Sequence, residues 1–397
     1  MTFREFRYLI LLFLFTATLS AQDDLINKIK RHDQAGAGQQ YQFTIIKNHE
    51  ALPVKDQASS GTCWSYSATS FIESELRRLG RPVVDLSEMF TVRQVYLDKG
   101  IKYVRLNGYL NFAQGGQLPD LLYVMKKYGA VPAAVFQGLN YGETKNKHSE
   151  LEAALKNFLD AIVKNPNGRL STAWLSAYES IITAYLGSYP SEFVWEGKKY
   201  TPRTFLTDYL RINPDDYIQI TSFSHEPFYK PMYVEVPDNW AWGLSYNLPL
   251  DEMMRTLRHA IDNGFTAAWA TDVSEKGFSI KNGIAIVPQK PYEQMTDDEK
   301  KTMFDGPRPE MIVTQEQRQQ AFDNFETTDD HGMHITGIAR DQNGTLYYIT
   351  KNSWGLIPNA HRDGYLMASE AYVRYKTIAI LLHKDALPRD IRAKLNL

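Results

Sequence analysis

The stretch KDQASSGTCWSYSATS, Lys55 to Ser70, contains Cys63, the only cysteine among 397 residues. Beyond it, apolar side chains recur at helical spacing as far as Gly80, a residue type that commonly ends helices; they are Tyr66, Phe71, Ile72 and Leu76. The pattern predicts a helix that begins at Cys63. Because the dipole and the unpaired amide groups of a helix N-terminus stabilise a thiolate, this position predicts a lowered thiol pKa and a reactive nucleophile.

The composition around this stretch is typical of a globular protein. Hydrophobic residues make up 43% of the chain, charged residues make up 23%, and the net charge is −2. These values disfavour disorder and give no basic surface for nucleic acid. Since single cores usually stop growing by ~250–300 residues, the length predicts two lobes or one elaborated domain.

The amino end has the pattern of a signal peptide. Arg4 and Arg7 precede an apolar run at 8–19, and the small residues Ser20 and Ala21 follow it. We therefore predict a signal peptide at 1–21, export, and a periplasmic or extracellular mature protein. An uncleaved membrane anchor is the alternative. A single cysteine cannot form an intramolecular disulfide in an oxidising compartment, so Cys63 needs another role.

The mature chain divides by pattern into a helix-rich front and a strand-rich back. Helical spacing dominates about 51–135 and a segment at about 140–215, whereas short β-rich runs separated by turn residues fill about 217–397. This order predicts an α+β protein. A cleft between the two parts is the natural place for an active site.

Two of the nine histidines stand directly before a predicted hairpin, in DDHGMHITGIARDQNGTLYYITKNSWG. A two-residue turn at Asn343-Gly344 places Ile335 opposite Asn352, which puts His331, and not His334, on the face of Asn352. A four-residue loop preserves that assignment, and a three-residue loop reverses it. A zinc site at both histidines is disfavoured because residues three apart in a strand project to opposite faces.

These residues contain the parts of a nucleophilic acyl-transfer site. Asn352 can orient the imidazole of His331 toward the thiol, and Trp354 can cover their hydrogen bond, although plain core packing also explains this tryptophan. Gln57, six residues before Cys63, can offer its side-chain amide to an oxyanion. An ordinary loop glutamine is the alternative there.

Together the two segments resemble the papain-like cysteine peptidases. In that superfamily a glutamine precedes the nucleophile by six residues, a tryptophan follows the nucleophile, and the histidine strand leads to an Asn-Ser-Trp-Gly run. The matching residues here are Gln57, Cys63, Trp64, His331 and Asn352. A glycine also follows the family's histidine by six positions, as Gly337 follows His331. Within the superfamily the bleomycin hydrolase and aminopeptidase C group is most similar, because Ser60 stands where papain has a disulfide cysteine.

The resemblance implies a two-lobed papain-like fold, in which a helical lobe carries Cys63 and a β-barrel-like lobe carries His331 and Asn352, with an inserted helical region. It implies a peptide or protein substrate, an acyl-enzyme mechanism, no cofactor and no metal. Homo-oligomerisation is carried over from the group as an expectation only. The candidate cleft residues are Trp64, Gly115, Gly116 and Trp354.

Three alternatives stay open from the sequence. In the resembled group a carboxyl-terminal arm lies in the cleft and restricts cutting to the amino end of the substrate; the ending LPRDIRAKLNL looks short for such an arm, so an endopeptidase is one alternative to an aminopeptidase. A transglutaminase-like acyl transferase is disfavoured because Asn352 stands where its triad has aspartate. A catalytically silent binding protein on the same scaffold is disfavoured because all four candidate catalytic residues are present.

Overall fold

The computed structural model describes residues 41–397. The predicted signal peptide at 1–21 lies outside the described residues. Within the described part of the chain, every helix is too short or too polar to span a bilayer.

Helices dominate residues 41–190. The first five helices of the described residues are α1 Cys63–Arg78, α2 Glu88–Arg105, α3 Asp120–Tyr128, α4 Ser149–Val163 and α5 Ala173–Leu186. Ser87 shows why α2 begins where it does, since its hydroxyl accepts the backbone N–H of Phe90 at 3.0 Å and so caps an otherwise unpaired amide. Further along the chain are α6 Pro202–Thr204, which continues into a π-helical turn at Phe205–Leu210, then α7 Leu250–Asp262, α8 Asp297–Lys301, α9 Gln315–Asp323, α10 Glu370–Lys376 and α11 Arg389–Leu395.

Strands dominate the second half of the chain, and the α+β prediction is confirmed. The described strands are β1 Thr44–Asn48, β2 Phe193–Trp195, β3 Lys198–Tyr200, β4 Tyr217–Thr221, β5 Pro231–Tyr233, β6 Leu244–Asn247, β7 Ala267–Thr271, β8 Phe278–Ser279, β9 Ile284–Ala285, β10 His331–Arg340, β11 Leu346–Lys351, β12 Tyr365–Ser369 and β13 Thr377–His383. Eleven of them form one mixed sheet in the order β5-β6-β4-β13-β7-β10-β11-β12-β9-β8, with β1 paired to β10; β2 and β3 form a separate hairpin.

The hairpin of β10 and β11 has a different register from the predicted one. Arg340 pairs with Leu346 and Gly337 with Ile349, so an odd number of residues closes the turn, and the predicted two-residue turn is wrong. A β-bulge between Ile335 and Gly337 then shifts the register by one residue, so that Ile335 lies opposite Thr350. Without this bulge Asn352 would share a face with His334. The bulge restores the predicted pairing of faces, and Asn352 faces His331.

Helix α1 is the element that joins the helical and strand-rich parts of the core. Its Phe71 and Leu76 pack with strand residues such as Ala270 and Ile378, whereas Trp64 packs with Phe90 of α2 and other helical residues. All residues from Cys63 to Leu76 are buried. Small side chains on α1 let β10 approach closely, so the amino end of α1 and the start of β10 meet inside the molecule.

Candidate active site

Cys63 is the first residue of α1 and lies where the amino end of α1 meets the start of β10. The backbone carbonyl of Thr62 accepts the N–H groups of Ser65 at 2.9 Å and of Tyr66 at 3.2 Å, which starts the helix. The N–H groups of Cys63 and Trp64, which precede these two, have no carbonyl of the same helix to pair with. The side chain of Cys63 therefore stands beside unpaired donors, with 7% of the residue exposed.

Gln57 lies in the loop before α1 and is fully buried. Its side-chain oxygen accepts from Ser353 Oγ at 2.7 Å, and its Nε2 donates to the carbonyl of Ser60 at 2.7 Å. The amide carries a second N–H, which is free for another acceptor. The Gln57 backbone N–H also donates to Ser353 O at 2.8 Å, which ties the loop to the residue that follows Asn352.

The hydrogen bonds of Asn352 determine the tautomer of His331. Asn352 Oδ1 accepts the backbone N–H of Ser353 at 2.8 Å, which identifies this atom as the acceptor of the amide. The same oxygen lies 2.7 Å from His331 Nε2, so Nε2 must carry the hydrogen. His331 Nδ1 is then the basic nitrogen, and it is buried without a hydrogen-bond partner.

The residue after His331 brings β10 against the start of α1. A Cβ placed on Gly332 would lie 2.7 Å from Ser67 Oγ and 3.3 Å from the Cys63 carbonyl carbon, so only glycine fits here without displacement. The backbone N–H of Gly332 also serves as a hydrogen-bond donor to the Cys63 sulfur, which lowers the pKa of the thiol in part. His331 and Cys63 are therefore placed on two elements that are in direct contact.

Trp354 and His334 have different positions relative to this site. The Trp354 ring lies 4.5 Å from the His331 ring, centroid to centroid, and is buried above the imidazole. His334 projects to the other face, where its Nδ1 lies 3.0 Å from Ser70 Oγ and its strand partner is Lys351. The two histidines thus do not converge. Among residues 41–397, no group of three or more His, Cys, Asp or Glu side chains could hold a metal ion.

The sequence predicted a lowered pKa for the Cys63 thiol, whereas its burial in the folded chain raises this pKa. Burial raises the pKa of Cys63 to about 12, although the backbone N–H groups of Gly332 in β10 and of Trp64 at the helix start lower it in part. Burial also lowers the pKa of His331 to about 4, with the bond to Asn352 opposing this change. Each charge alone is costly in a buried site. If the thiol proton were transferred to His331 Nδ1, two opposite charges would form together and offset each other.

This pairing predicts a specific pH dependence for alkylation of Cys63. Between pH values of about 4 and 12 the pair holds one proton, so the alkylation rate should be nearly constant with pH. Below about 4 the imidazole is already protonated and cannot take the thiol proton, so the rate should fall. The measurement is the rate of modification by iodoacetamide across this range. A rate that rises tenfold per pH unit near neutrality, as for an isolated thiol, would contradict the pairing; His331→Ala should show that behaviour.

The predicted cleft glycines lie beside the same helix start. Trp64 Nε1 donates to Gln114 O at 3.2 Å, and a Cβ on Gly116 would lie 2.8 Å from the Trp64 ring. A Cβ on Gly115 would meet the carboxylate of Asp238. Sequence reasoning did not find Asp238, because it is more than 120 residues from Gly115 along the chain and no motif surrounds it.

Comparison with known proteins gives the family context of this geometry. The profile of the Peptidase C1-like family matches residues 87–397. Three curated relatives are Cysteine proteinase 1, mitochondrial, from Saccharomyces cerevisiae (22% identity, 94% of this chain and 83% of the relative), Aminopeptidase C from Lactococcus lactis subsp. cremoris (23%, 85% and 82%) and Bleomycin hydrolase from Mus musculus (24%, 90% and 86%). The crystal structure of PepW from Lactobacillus rhamnosis superimposes with a TM-score of 0.68 at 18% identity, covering 100% of this chain and 95% of that chain.

These findings confirm the predicted resemblance and correct the predicted location. The superposition shows the papain-like, bleomycin hydrolase-like fold, and the curated names match the group that Ser60 and the Asn-Ser-Trp-Gly run indicated. The prediction of a periplasmic or extracellular protein is wrong, since the yeast relative that aligns with 94% of this chain is named as mitochondrial. The leader pattern on which that prediction depended lies outside the described residues.

Proposed function

Because this chain belongs to the Peptidase C1-like family and is a cysteine peptidase of the bleomycin hydrolase and aminopeptidase C group, we propose that Cys63, His331 and Asn352 are its catalytic triad. The observation that carries the proposal is the bond from His331 Nε2 to Asn352 Oδ1, which leaves Nδ1 as a buried, unpartnered base. The contact of Gly332 with Cys63 supports the pairing of this base with the thiol. We also propose that 22–397 is one peptidase domain with 140–215 as its helical insertion.

The proposed reaction balances its protons within the triad. His331 Nδ1 takes the proton from the Cys63 thiol, and the thiolate attacks the carbonyl carbon of the scissile peptide bond. The oxyanion accepts hydrogen bonds from the free N–H of the Gln57 amide and from the Cys63 backbone N–H. The imidazolium gives its proton to the leaving amine as the C–N bond breaks, and a thioester remains. Water, deprotonated by His331, then releases the carboxylic acid and restores the thiol.

Asn352 acts in this scheme by holding His331 in one tautomer and one orientation. Trp354 covers the bond between them, which limits competition from water. Neither residue needs to contact the peptide for these roles.

We assign the cut to the amino end of the peptide. The name Aminopeptidase C of one relative supports this choice, and acidic side chains near the cleft glycines are consistent with it. An endopeptidase is the alternative, and a silent binding protein is a further one. The experiment compares cleavage of one fluorogenic peptide with a free amino end and the same peptide N-acetylated. Preference for the free form supports the aminopeptidase, equal cleavage supports the endopeptidase, and cleavage of neither contradicts both.

Replacement of Gln57 by alanine tests the proposed oxyanion contact. We expect kcat to fall by about 10²–10³-fold, with a smaller change in KM, because this donor acts on charge that develops in the transition state. Steady-state kinetics with the free-amine peptide give both constants. Ser353→Ala is the matched control, since it removes the bond to Gln57 Oε1 and leaves Nε2 in place. A loss below about fivefold for Gln57→Ala would exclude Gln57 from the oxyanion site.

A further inference from the structure

The segment between β5 and β6 places a carboxylate on the predicted substrate cleft. A Cβ built on Gly115 would lie only 1.8 Å from Asp238 Oδ2, so the carboxylate occupies the space directly above this glycine. Asn111 Nδ2 donates to Asp238 Oδ1 at 3.0 Å and fixes its orientation. The buried Lys99 holds the glycine loop from below, through the carbonyls of Ala113 and Gly115. The Asp238 residue is half-buried.

This glycine loop is adjacent to the nucleophile. Gln114 Oε1 accepts the backbone N–H of Gly61 at 2.7 Å, two residues before Cys63. Gly116 packs on the ring of Trp64, the residue after Cys63. A peptide bound along these glycines with its scissile carbonyl at Cys63 would therefore have its amino-side residues close to Asp238.

A second carboxylate, that of Asp329, lies close enough to Asp238 for the charge of Asp238 to raise its pKa. Asp329 lies two residues before His331 and accepts a hydrogen bond from Gln117 Nε2 at 2.5 Å. Gln117 is 3% exposed, and its Oε1 is buried without a hydrogen-bond partner. The nitrogen of this amide is bonded to Asp329, so its oxygen, on the same amide carbon, lies near Asp329. It is an acceptor that lacks a donor, which is costly unless a ligand provides one.

Electrostatic effects place both carboxylates within range of the thiol. Burial is the largest cause that raises the pKa of Cys63, the N–H of Gly332 lowers it, and the charges of Asp329 and Asp238 are the next two causes that raise it. Burial raises the pKa of Asp329 to about 7 and also raises the pKa of Asp238. The charge of the buried Lys99 offsets this change in part at Asp238. A further cation bound near both carboxylates would offset their repulsion and the remaining cost of their burial.

We propose that Asp238, Asp329 and Gln117 Oε1 bind the ammonium group at the amino end of the peptide substrate and thereby fix where the peptide is cut. This inference rests on the proposed function, for which it supplies the specificity residues. An ammonium group has three donors and one positive charge, which match an uncharged acceptor and two carboxylates. The amino terminus is favoured over a basic side chain because Asp238 covers Gly115, so a chain that follows the glycine pair meets the carboxylate before it can continue.

The carboxyl-terminal helix α11 forms ion pairs with α7. Asp390 pairs with Arg255, and Lys394 pairs with Glu252 at 2.6 Å, so α11 is fastened to α7. The two carboxylates described at the cleft, Asp238 and Asp329, belong to internal segments of the chain.

The test measures kcat/KM for the free and the N-acetylated peptide in the wild type, Asp238→Asn and Asp329→Asn. Asparagine keeps the shape of aspartate and can still accept from Asn111, so the loss is mainly one of charge. We expect each variant to lower the preference for the free amine by about tenfold or more, chiefly through KM, because charge-assisted hydrogen bonds are lost. Glu235→Gln, which removes an exposed carboxylate from the same segment, should keep the wild-type preference.

Two outcomes of this comparison would overturn the inference and leave the proposed function intact. One is an unchanged preference in both variants, and the other is an equal loss with both peptides, which would indicate a structural role. A third arm uses an N-acetylated peptide with lysine as its first residue; if the wild type favours it over the free amine and Asp238→Asn removes that preference, the bound cation is a side chain and the inference is wrong. If the wild type cleaves none of the peptides, the proposed function fails and the inference fails with it.

Discussion

Replacement of Cys63 by alanine is expected to lower kcat/KM by about 10⁴-fold or more, because the chain then lacks the nucleophile of the covalent pathway. No other thiol can substitute, since Cys63 is the only cysteine of the sequence. The proposed oxyanion donors, Gln57 and the helix-start N–H, remain in this variant, so a small residual rate is expected. Hydrolysis of the free-amine peptide, measured with enzyme in excess, gives this rate.

The Cys63→Ala variant should fold normally, so its loss of activity relative to the wild type can be attributed to the missing thiol. Removing one buried sulfur leaves a small void and should lower the free energy of unfolding by only about 1–2 kcal/mol. Circular dichroism and the thermal midpoint check this. A folded Cys63→Ala protein that keeps more than about a tenth of the wild-type kcat/KM would show that another group carries the reaction.

The second large effect is expected from mutation of the two histidines of β10, His331 and His334, which should respond differently. His331→Ala should lower kcat/KM by about 10³-fold or more, because no other base can take the thiol proton. His334→Ala should keep activity within about tenfold, since His334 faces Ser70 and not the thiol. It should instead lower the free energy of unfolding by about 1–3 kcal/mol, because a buried polar side chain and its hydrogen bond are lost.

For both variants, steady-state kinetics give kcat/KM and denaturant unfolding gives the free energy of unfolding. Full activity in His331→Ala together with loss of activity in His334→Ala would mean that the two histidines have exchanged faces. A large loss in both variants, without unfolding, would mean that the two faces are coupled more strongly than their separate hydrogen bonds indicate.

His331 faces Asn352 as the sequence pattern predicted, but one step that led to this prediction was wrong. The turn was expected to contain two residues, at Asn343-Gly344. In the structure Asp341 Oδ1 accepts the N–H groups of Asn343 and Thr345, which closes a longer loop and shifts the register by one. The bulge near Thr336 shifts it again. Thr336 Oγ1 donates to Asn48 of β1, a strand almost 300 residues away in sequence, so local pattern could not predict the bulge.

The helix start at Cys63 was predictable because the apolar spacing after it is local. The pKa of its thiol was not, because burial depends on β10 and on the glycine loop, which approach only in the folded chain. Gln57 was found through its distance from Cys63 in the sequence. Gln117, Asp238 and Asp329 come together only through folding, and no sequence spacing relates the three residues.

The most direct test of the central claim is to locate the covalent adduct of a thiol-directed epoxide inhibitor of cysteine peptidases. The proposed triad predicts one adduct per chain, on Cys63 within the peptide that contains Thr62-Cys63-Trp64, and a loss of peptide hydrolysis in proportion to labelling. His331→Ala should label far more slowly, whereas His334→Ala should label like the wild type. Full hydrolytic activity after complete labelling of Cys63, or no labelling of a folded and active enzyme, would contradict the assignment of Cys63 as the nucleophile.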